Sequence, residues 1–327
     1  MLKETLRCIE CDELPDTPDP SVVYRLHPRD PDDTYYNERV DRNIGWITKD
    51  EQALLKRAVV GIAGNGGMGG LLAQALLRVG VGAIKIGDSE TFDVSNINRQ
   101  FGATRKTIGV SKAFATTRML RNITDDTTLI VYPQGITETT VGDFVEDCNV
   151  ICDEIEFWAI GSRILLHQEA RRRGVSLFNC NTVGFGTHLF LFTPNGFTME
   201  SCLNCDYESA KEMQEKVQNK RATGEEVRFV MERVLRGLVP ELAGYSAKGT
   251  SYNDLPAVLT RLFGEGKAPI IGTNPVMATG FLADHVLFCL LRDSGVKREL
   301  VRPPAAPGYL YFDAGKLLAK SVERKGV

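Results

Sequence analysis

A glycine-rich turn between two short apolar segments restricts the possible folds of this chain more than any other feature. Residues 58–63 (AVVGIA) have the length and continuous apolar character of a strand buried on both faces. The turn 64–70 (GNGGMGG) leads into an apolar-periodic helix that ends at Gly80, and residues 83–88 (AIKIGD) resemble a second strand. Strand, glycine turn, helix and strand within about 30 residues predict a βαβ unit.

Strand and helix patterns continue to alternate after this unit. This alternation predicts an α/β fold with a Rossmann-like, mainly parallel sheet flanked by helices. The predicted elements are helices at 111–122, 141–147 and 158–173, and strands at 128–132, 149–152, 176–181, 188–192 and 309–312.

The same patterns divide the chain into four segments. Residues 1–34 contain scattered proline and aspartate and are expected to form an irregular N-terminal arm. Residues 35–205 form the predicted core, and the charged segment 206–267 is expected to be a helical insertion or lid. Residues 268–327 are expected to supply a C-terminal helix and a strand that complete the core.

The composition excludes several classes of protein. The chain of 327 residues has a formal net charge of −3, so no global basic field indicates binding to nucleic acid or to an anionic membrane. No apolar stretch reaches the roughly 18 residues that a membrane span needs, and the N-terminus lacks the apolar centre of a secretory signal. We therefore expect a cytoplasmic protein with neither nucleic acid nor membrane as a partner.

The glycine turn matches a phosphate-binding motif. Gly64, Gly66 and Gly69 fit the pattern G-x-G-x-x-G, and Gly67 lies inside it. Backbone N–H groups in such a turn face an anion at the helix N-terminus, where glycine allows phosphate to approach closely. Asp88 ends the second strand, where a carboxylate can accept hydrogen bonds from ribose hydroxyls. The motif predicts a nucleotide site, and by itself it fits NAD as well as ATP.

The residues after Asp88 favour ATP. Asn96, Arg99 and Gln100 follow the second strand, and Lys112 begins the next helix. Dinucleotide oxidoreductases have no particular need for these groups. A triphosphate does, since cleaving its α–β bond places further negative charge on the departing pyrophosphate, which fixed cations stabilise.

Four segments together resemble the ThiF/MoeB family, the bacterial relatives of ubiquitin-activating enzymes. They are GNGGMG (64–69), GDSETFDVSNINRQ (87–100), IGVSK (108–112) and VICDEIE (150–156). The resemblance implies an adenylyltransferase that uses ATP and Mg²⁺, with an ATP-binding adenylation core over 35–205. Its substrate would be the C-terminus of a ubiquitin-like protein or of a ribosomal peptide precursor, and it would act as a homodimer.

The resemblance also implies roles for individual residues. Asp88 would bind the ATP ribose, Asn96, Arg99 and Lys112 would hold phosphates, and Gln100 would line the same site. In this family an arginine before the first strand of the core reaches the γ-phosphate in the partner subunit. Arg42 is the best match here, followed by Arg39.

The magnesium-side carboxylate of the family corresponds to Glu156. Family members usually carry Asp followed by Asn at this place, whereas this chain carries Glu156 and Phe157. Glutamate is still a hard oxygen ligand for Mg²⁺, although it is one methylene longer. Asp153 and Glu154 are candidates to share the role.

The cysteines raise a second metal hypothesis. Many family members bind a structural zinc through two CxxC pairs, and Cys202 and Cys205 lie about where the first pair would be. The second pair would have to be Cys8 and Cys11, which closes a tetrahedral zinc site only if the N-terminal arm folds back. The alternatives are that both pairs are free thiols or that only one pair has a role.

Two other functions remain open at this stage. An NAD-dependent oxidoreductase would retain the glycine turn and Asp88 but would leave Arg99 and Lys112 without a role. A catalytically silent scaffold subunit of an activating complex would fold in the same way, and Glu156 in place of aspartate is compatible with it.

Overall fold

A ten-stranded sheet forms the centre of the molecule. The computed structural model describes residues 6–29, 33–241 and 269–324. Within them the strands lie in the order β1-β2-β5-β4-β3-β6-β7-β8-β9-β10. The strands are β1 (Cys8–Cys11), β2 (Val23–Leu26), β3 (Val59–Ala63), β4 (Ala83–Gly87), β5 (Thr128–Tyr132), β6 (Val150–Asp153), β7 (Ser176–Val183), β8 (Gly186–Phe192), β9 (Tyr309–Asp313) and β10 (Leu318–Val322).

Helices cover the sheet and fill most of the connections between its strands. Two short 3-10 helices, Asp41–Asn43 and Val94–Asn96, lie outside the α-helices. The α-helices are α1 (Asp33–Val40), α2 (Lys49–Arg57), α3 (Gly69–Val79), α4 (Lys112–Arg121), α5 (Val141–Val145), α6 (Ile160–Arg172), α7 (Met199–Leu203), α8 (Tyr207–Gln218), α9 (Gly224–Leu238) and α10 (Thr273–Leu290). The structure contains no helix within the described ranges that is long and apolar enough to cross a membrane.

The central strands β5-β4-β3-β6-β7 are all parallel and buried on both faces. Val60 and Ile62 of β3 belong to the apolar cluster that also contains residues of α3, α4 and α10. Ala63, on the other face, joins the cluster that contains residues of α5 and α6. Since parallel strands carry crossover helices on both faces, this arrangement confirms the predicted α/β fold class.

The sequence analysis expected an irregular N-terminal arm, but part of this arm forms two strands. β1 pairs with β2 in parallel, and β2 pairs antiparallel with β5, which extends the sheet. Val23, Tyr24 and Leu26 of β2 are buried. Each strand has only four residues, which is too short for a strand pattern to be recognised among the surrounding prolines and aspartates.

The predicted insertion is helical and packs onto the core. Ala210 of α8 and Val230, Val234 and Leu238 of α9 are fully buried in the same cluster as α5 and α6. The remainder of this predicted segment, residues 242–267, lies outside the described residues. The C-terminal part contains the predicted helix and strand, α10 and β9, and adds the edge strand β10. The four-segment division itself stays a prediction.

Candidate functional site

A cleft of about 370 Å³ opens at the carboxyl ends of the parallel strands β3, β4, β5 and β6. Ligands of open α/β sheets bind at this edge. The polar side chains that line the cleft are of two kinds. Five are ionisable, namely Asp88, Glu90, Lys112, Glu154 and Glu156, and the others are neutral, namely Ser89, Gln134, Thr137, Ser162, Gln214 and Gln218.

The glycine turn forms the floor of the cleft, where two positions accept only glycine. Gly64 has a φ of +95°, and a Cβ there would lie 2.1 Å from the carbonyl oxygen of Glu154. A Cβ on Gly69 would lie 1.8 Å from the carbonyl oxygen of Gly64. Gly64 and Gly66 line the cleft, whereas Gly67 packs against Pro275. The turn therefore exposes bare backbone to a ligand, as the motif predicts.

Asp88 lies at the end of β4 and is almost fully buried. Its two carboxyl oxygens accept hydrogen bonds from the backbone N–H groups of Asn65 (2.6 Å) and Glu90 (2.8 Å). Burial raises the pKa of Asp88 to about 6, although Lys112 and these two hydrogen bonds oppose the shift. Each oxygen retains a second lone pair that can accept a ligand hydroxyl.

Lys112 brings a buried cation to the cleft. Its Nζ lies 2.6 Å from Oε2 of Glu90, and its side chain is 3% exposed. Burial alone would lower the pKa of Lys112, but Asp88, Glu90 and Glu156 outweigh burial and raise it above its ordinary value. The structure thus brings together Asp88, Lys112 and Glu156 as expected. Glu90 was missed, although its place two residues after Asp88 was a usable signal.

Asp153 does not line the cleft, contrary to the expectation that it shares a magnesium site. It is fully buried, and Oδ2 accepts hydrogen bonds from Nε of Arg163 (2.8 Å) and from the amide of Asn179 (3.2 Å). His167 lies 3.1 Å from the same oxygen, and Oδ1 accepts the N–H of Ile155. With both oxygens engaged, Asp153 has a structural role.

The other acidic residues of this loop differ in exposure. Burial raises the pKa of Glu154 well above its usual range, and the neighbouring charge of Asp153 adds to the shift. Oε1 of Glu154 is buried and has no hydrogen-bond partner among the described residues. Glu156 is exposed and lines the cleft. Glu154 lines the cleft as well, so both carboxylates face it, and Glu156 is the more exposed of the two.

Asn96, Arg99 and Gln100 lie on the loop beside the glycine turn but do not line the cleft. The side chain of Asn96 caps its own 3-10 helix by accepting the N–H of Asp93. Arg99 donates to the carbonyl of Ser95 and to Oδ1 of Asn98, both at 3.0 Å. The amide of Gln100 lies next to Gly66, since its Nε2 is 3.6 Å from an ideal Cβ there. Their roles toward phosphate stay predictions.

Besides Oε1 of Glu154, three buried oxygens near the cleft lack partners. They have no hydrogen-bond partner in the part of the chain that the structure describes, and buried polar atoms normally have one. Such atoms are suited to receive donors from a ligand. They are Asn65 Oδ1, Gln100 Oε1 and Gln134 Oε1.

The two arginine candidates before β3 differ. Arg42 is exposed and lines a separate surface depression with Ile44, Gly45 and Trp46, away from the residues of the cleft. Arg39 is largely buried, bonded to Oδ2 of Asp126 (2.8 Å), and also donates to carbonyls at the end of α3. Arg39 is therefore structural, and Arg42 remains the candidate for a role in a partner subunit.

The structure does not bring the two CxxC pairs together. Cys8 and Cys11 lie on the edge strand β1, and Cys11 contacts the cluster on the face of α3, α4 and α10. Cys202 and Cys205 follow α6 in sequence and contact the cluster on the opposite face. No group of three or more His, Cys, Asp or Glu among the described residues is placed to bind a metal. The four-thiolate zinc site is not formed, because the sheet separates the pairs.

Several neutral polar residues that line the cleft were also missed by the sequence analysis. Ser162 lies in the first turn of α6, and Gln214 and Gln218 lie on α8. Gln134 follows the parallel strand β5, and this position could have identified it as a candidate, since ligands bind at the carboxyl ends of such strands. The glutamines of α8 gave no such signal, since they reach the cleft only through the packing of α8 on α6.

Comparison with known proteins gives a consistent result. A sequence model of the ThiF family matches residues 40–324. The chain is 28% identical over 156 residues to the sulfur carrier protein ThiS adenylyltransferase of Bacillus subtilis, covering 47% of this chain and 45% of that protein. It is 30% identical over 139 residues to the tRNA threonylcarbamoyladenosine dehydratase of the same species, covering 42% and 54%. The chain thus spans about half the length of the curated relatives it matches.

A solved structure extends the likeness in fold over most of the chain. The crystal structure of E. coli MccB with MccA-N7isoASN superposes with a TM-score of 0.58 at 16% identity, covering 89% of this chain and 73% of that one. At this identity the match concerns the fold alone.

Proposed function

The chain belongs to the ThiF family, as its motifs suggested, and from this premise we propose that it is an ATP-dependent adenylyltransferase. A carboxylate oxygen of the substrate attacks the α-phosphorus of ATP, the bond from that phosphorus to the bridging oxygen breaks, and pyrophosphate leaves. The products are an acyl adenylate and pyrophosphate. The observation that carries this proposal is the joint placement of the glycine turn, Asp88, Lys112 and Glu156 around one cleft.

The charged residues that line the cleft support this chemistry through positioning and charge. We propose that Asp88 accepts the ribose hydroxyls and that Lys112 serves as a fixed cation for the triphosphate. The attacking carboxylate is already ionised near pH 7, so the reaction needs no general base. We assign Arg99 to the departing pyrophosphate. This requires its guanidinium to exchange its bonds to Ser95 and Asn98, which exposed side chains do readily.

The chain also has a suitable carboxylate for Mg²⁺. Protein sites usually hold this ion through one or two carboxylates together with substrate phosphates, so a three-residue cluster is not required. Glu156 is exposed and lies near Lys112, whose pKa it influences. Bound there with ATP, Mg²⁺ would neutralise charge on the phosphates. Asp153 does not contribute, because its oxygens are committed to Arg163, His167 and Asn179.

We propose that the acyl substrate is the C-terminus of a ubiquitin-like protein or of a peptide. The name of one relative supports a small carrier protein, while another relative is named for a tRNA modification. Exposed apolar side chains beside the glycine turn favour a macromolecular partner, since such groups mark interaction surfaces. They are Val94, Ile97 and Phe101 on the Arg99 loop and Ile271 and Val276 near the start of α10.

We further propose a homodimer in which Arg42 serves the cleft of the partner subunit. The support is its exposed position outside the cleft of its own chain, next to Trp46, which is 88% exposed. Mixing Arg42→Ala and Lys112→Met proteins tests this role. Activity above that of either variant alone is expected, because one of the two mixed sites regains both residues. No recovery, with subunit exchange shown by light scattering or labelling, contradicts it.

Product analysis tests the enzymatic proposal. The protein is incubated with Mg·ATP and peptides that end in Gly-Gly, either with a free carboxylate or amidated, and the nucleotides are separated. AMP and pyrophosphate that form only with the free carboxylate support adenylation. ADP, or no turnover, contradicts it. A melting temperature that rises with NADH and not with ATP would instead support an oxidoreductase.

A further inference from the structure

The loop of residues 41–46, between α1 and α2, carries an exposed cation and an exposed aromatic ring. Arg42 is exposed, and its side chain has no hydrogen bond or ion pair within the described part of the chain. Trp46 is 88% exposed at the tip of the same loop. Tryptophan and arginine are enriched among the side chains that dominate the binding energy of interfaces. The loop therefore presents two side chains that are suited to a contact outside their own subunit.

The base of this loop is held by hydrogen bonds to neighbouring elements. The N–H groups of Trp46 and Ile47 both donate to the carbonyl of Asn43, at 3.2 and 3.1 Å. The side-chain amide of Asn43 donates to Oε1 of Gln52 at 2.9 Å and to the carbonyl of Val79 at 3.0 Å. These bonds connect the loop to α2 and to the end of α3.

The tip of the loop is held from the far end of the chain, by Arg298. Nη2 of Arg298 donates to the carbonyl of Trp46 at 3.1 Å and to Oε2 of Glu51 at 2.6 Å. Nη1 of Arg298 pairs with Oε1 of Glu51, which is 247 residues away in the sequence. The hydroxyl of Ser294, also in the segment after α10, donates to the same Oε1 at 2.9 Å. We call the pair of Glu51 and Arg298 the clamp.

Glu51 gives the clamp a buried and fixed base. Its side chain is 0% exposed, and Oε2 also accepts the N–H of Thr48 at 2.8 Å in the cap of α2. The hydrogen bond from Arg298 is the largest cause that lowers the pKa of Glu51 to about 2, against the effect of burial. Two-bonded pairs of arginine and carboxylate are strong and specific in geometry. The clamp therefore fixes the carbonyl of Trp46 relative to α2.

Packing does not explain why the tip of the loop is held. Ile44, Gly45 and Trp46 are all exposed, so ordering this tip buries little apolar surface. Ordering a backbone costs conformational entropy, which buried contacts normally offset. A role outside the core of its own subunit accounts for an exposed loop that is held at both its base and its tip.

We propose that Arg298 is a positioning residue for the reaction in the partner subunit. By holding the carbonyl of Trp46, it keeps the loop 41–46 in the conformation that delivers Arg42 to the partner's cleft. This inference rests on the proposed function, in which Arg42 serves that cleft. A displacement of about 1 Å in a group that contacts the reacting atoms can lower a rate by about two orders of magnitude.

Mixed dimers test this proposal, with AMP formation from Mg·ATP and a peptide that ends in Gly-Gly as the measurement. Arg298→Met alone should form AMP at least about tenfold more slowly than wild type. Mixed with Lys112→Met, it should recover to about a quarter of wild-type activity, because half of the dimers then contain one complete site of two. Mixed with Arg42→Ala, it should not recover, because every site then receives a defective loop.

Gly45→Ala disturbs the same loop without touching the clamp. Gly45 has a φ of +111°, and no atom of the described chain lies within 4 Å of a Cβ built there, so alanine strains the backbone without a clash. This variant should show the same pattern in both mixtures, and it tests the proposal even if Arg298→Met does not fold. Arg302→Met, at an exposed arginine of the same C-terminal segment, is the matched control and should behave as wild type.

The opposite pattern in the mixtures would overturn the inference. Recovery of Arg298→Met with Arg42→Ala and not with Lys112→Met would show that Arg298 acts on the cleft of its own subunit. Wild-type activity in Arg298→Met and Gly45→Ala would show that the clamp does not position Arg42. If Arg42→Ala and Lys112→Met exchange subunits without recovery, the role of Arg42 in the partner fails, and this inference fails with it. A wild type that forms no AMP contradicts the proposed function itself.

Discussion

Two cation–carboxylate pairs lie near the carboxyl ends of β4 and β6, the strands on either side of β3, and they have opposite surroundings. Arg163 and Asp153 are 1% and 0% exposed and are enclosed by further hydrogen bonds. Lys112 is equally buried at 3%, but its partner Glu90 is 52% exposed and lines the cleft. The first pair has no room for a ligand. The second keeps a desolvated cation whose partner can move toward water when a triphosphate arrives.

The pair formed by Arg163 and Asp153 has a structural role, whereas the pair formed by Lys112 and Glu90 faces the cleft. Arg163 also donates to the carbonyl of Ile155, so the enclosed pair holds the loop that carries Glu156. Burial would raise the pKa of Asp153, but Arg163 and the hydrogen bonds from His167 and Ile155 outweigh it and lower that pKa. The ionised carboxylate of Asp153 therefore stabilises the fold above its unfolded-state pKa of about 3.9. This stabilisation is lost as the pH falls through the lower folded-state pKa.

Breaking the enclosed pair should have the largest effect on stability. Arg163→Met leaves Asp153 as an unpaired buried charge, and we expect the free energy of unfolding to fall by about 3–5 kcal/mol. Urea denaturation at pH 7 measures this loss. The double variant Arg163→Met with Asp153→Asn should recover much of it, since the unpaired charge is gone. A single variant within about 1 kcal/mol of wild type would show that the pair is not a structural anchor.

Breaking the pair formed by Lys112 and Glu90 should instead affect activity. In Lys112→Met we expect AMP formation to fall by about 10²–10³, the typical effect of removing a fixed group that stabilises transition-state charge. Unfolding free energy should change by no more than about 1 kcal/mol, because Glu90 is free to hydrate. Lys106→Met, at an exposed lysine nearby, is the control. Activity within a factor of three of wild type would remove Lys112 from the mechanism.

Replacing Glu156 should change the Mg²⁺ dependence of the activity. In Glu156→Gln the Mg²⁺ concentration for half-maximal activity should rise about tenfold, which corresponds to about 1.4 kcal/mol. Glu156→Asp keeps the charge and should lie closer to wild type. Glu225→Gln, an exposed carboxylate on α9, serves as the control. An unchanged Mg²⁺ dependence in Glu156→Gln would exclude this carboxylate as a ligand.

Asp88 should give the smallest effect, visible as a pH dependence. Its folded-state pKa is about 6, so this carboxylate, which we propose accepts the ribose hydroxyls, protonates as the pH falls through 6. Adenosine, which carries no phosphate, should bind a few-fold more weakly at pH 5.5 than at pH 7.5. Asp88→Asn should remove this dependence. An identical pH profile in wild type and variant would exclude Asp88 as the titrating group.

The raised pKa of Asp88 has a matching consequence for stability. A carboxyl group whose pKa is higher in the folded state favours folding below its unfolded-state pKa, and this contribution is lost as the pH rises. Asp88→Asn should therefore gain stability relative to wild type as the pH rises from about 4 to about 6.

Much of the core and half of the cleft could be predicted from local patterns. Gly64 and Asp88 follow strands whose apolar character is visible in the sequence, and parallel strands bring their carboxyl ends to one edge. Lys112 begins the helix after the second of these strands. Asp153 and Glu156 are three residues apart, and no sequence pattern shows which of them points into the core. The distinction depends on Arg163 and Asn179, which arrive with two later elements.

The neutral residues of the cleft and strand β2 could not be predicted for a related reason. Gln214 reaches Ser162 from 52 residues away, so neither helical periodicity nor a strand end marks it. β2 pairs with β5 across about a hundred residues, and its four residues are too few to show alternation among prolines. Long-range packing decides both cases, and a single sequence does not display it.

Exchange of labelled pyrophosphate into ATP, in wild type and Lys112→Met, is the direct test of adenylation at the site that contains Lys112 and Glu90. The assay reports reversible cleavage of the α–β bond in the presence of a carboxylate substrate. We predict exchange in wild type that depends on the free carboxylate and falls at least a hundredfold in Lys112→Met while the variant stays folded. Exchange that survives in the variant, or ATP binding without any exchange in wild type, would contradict an adenylation site built on this open pair.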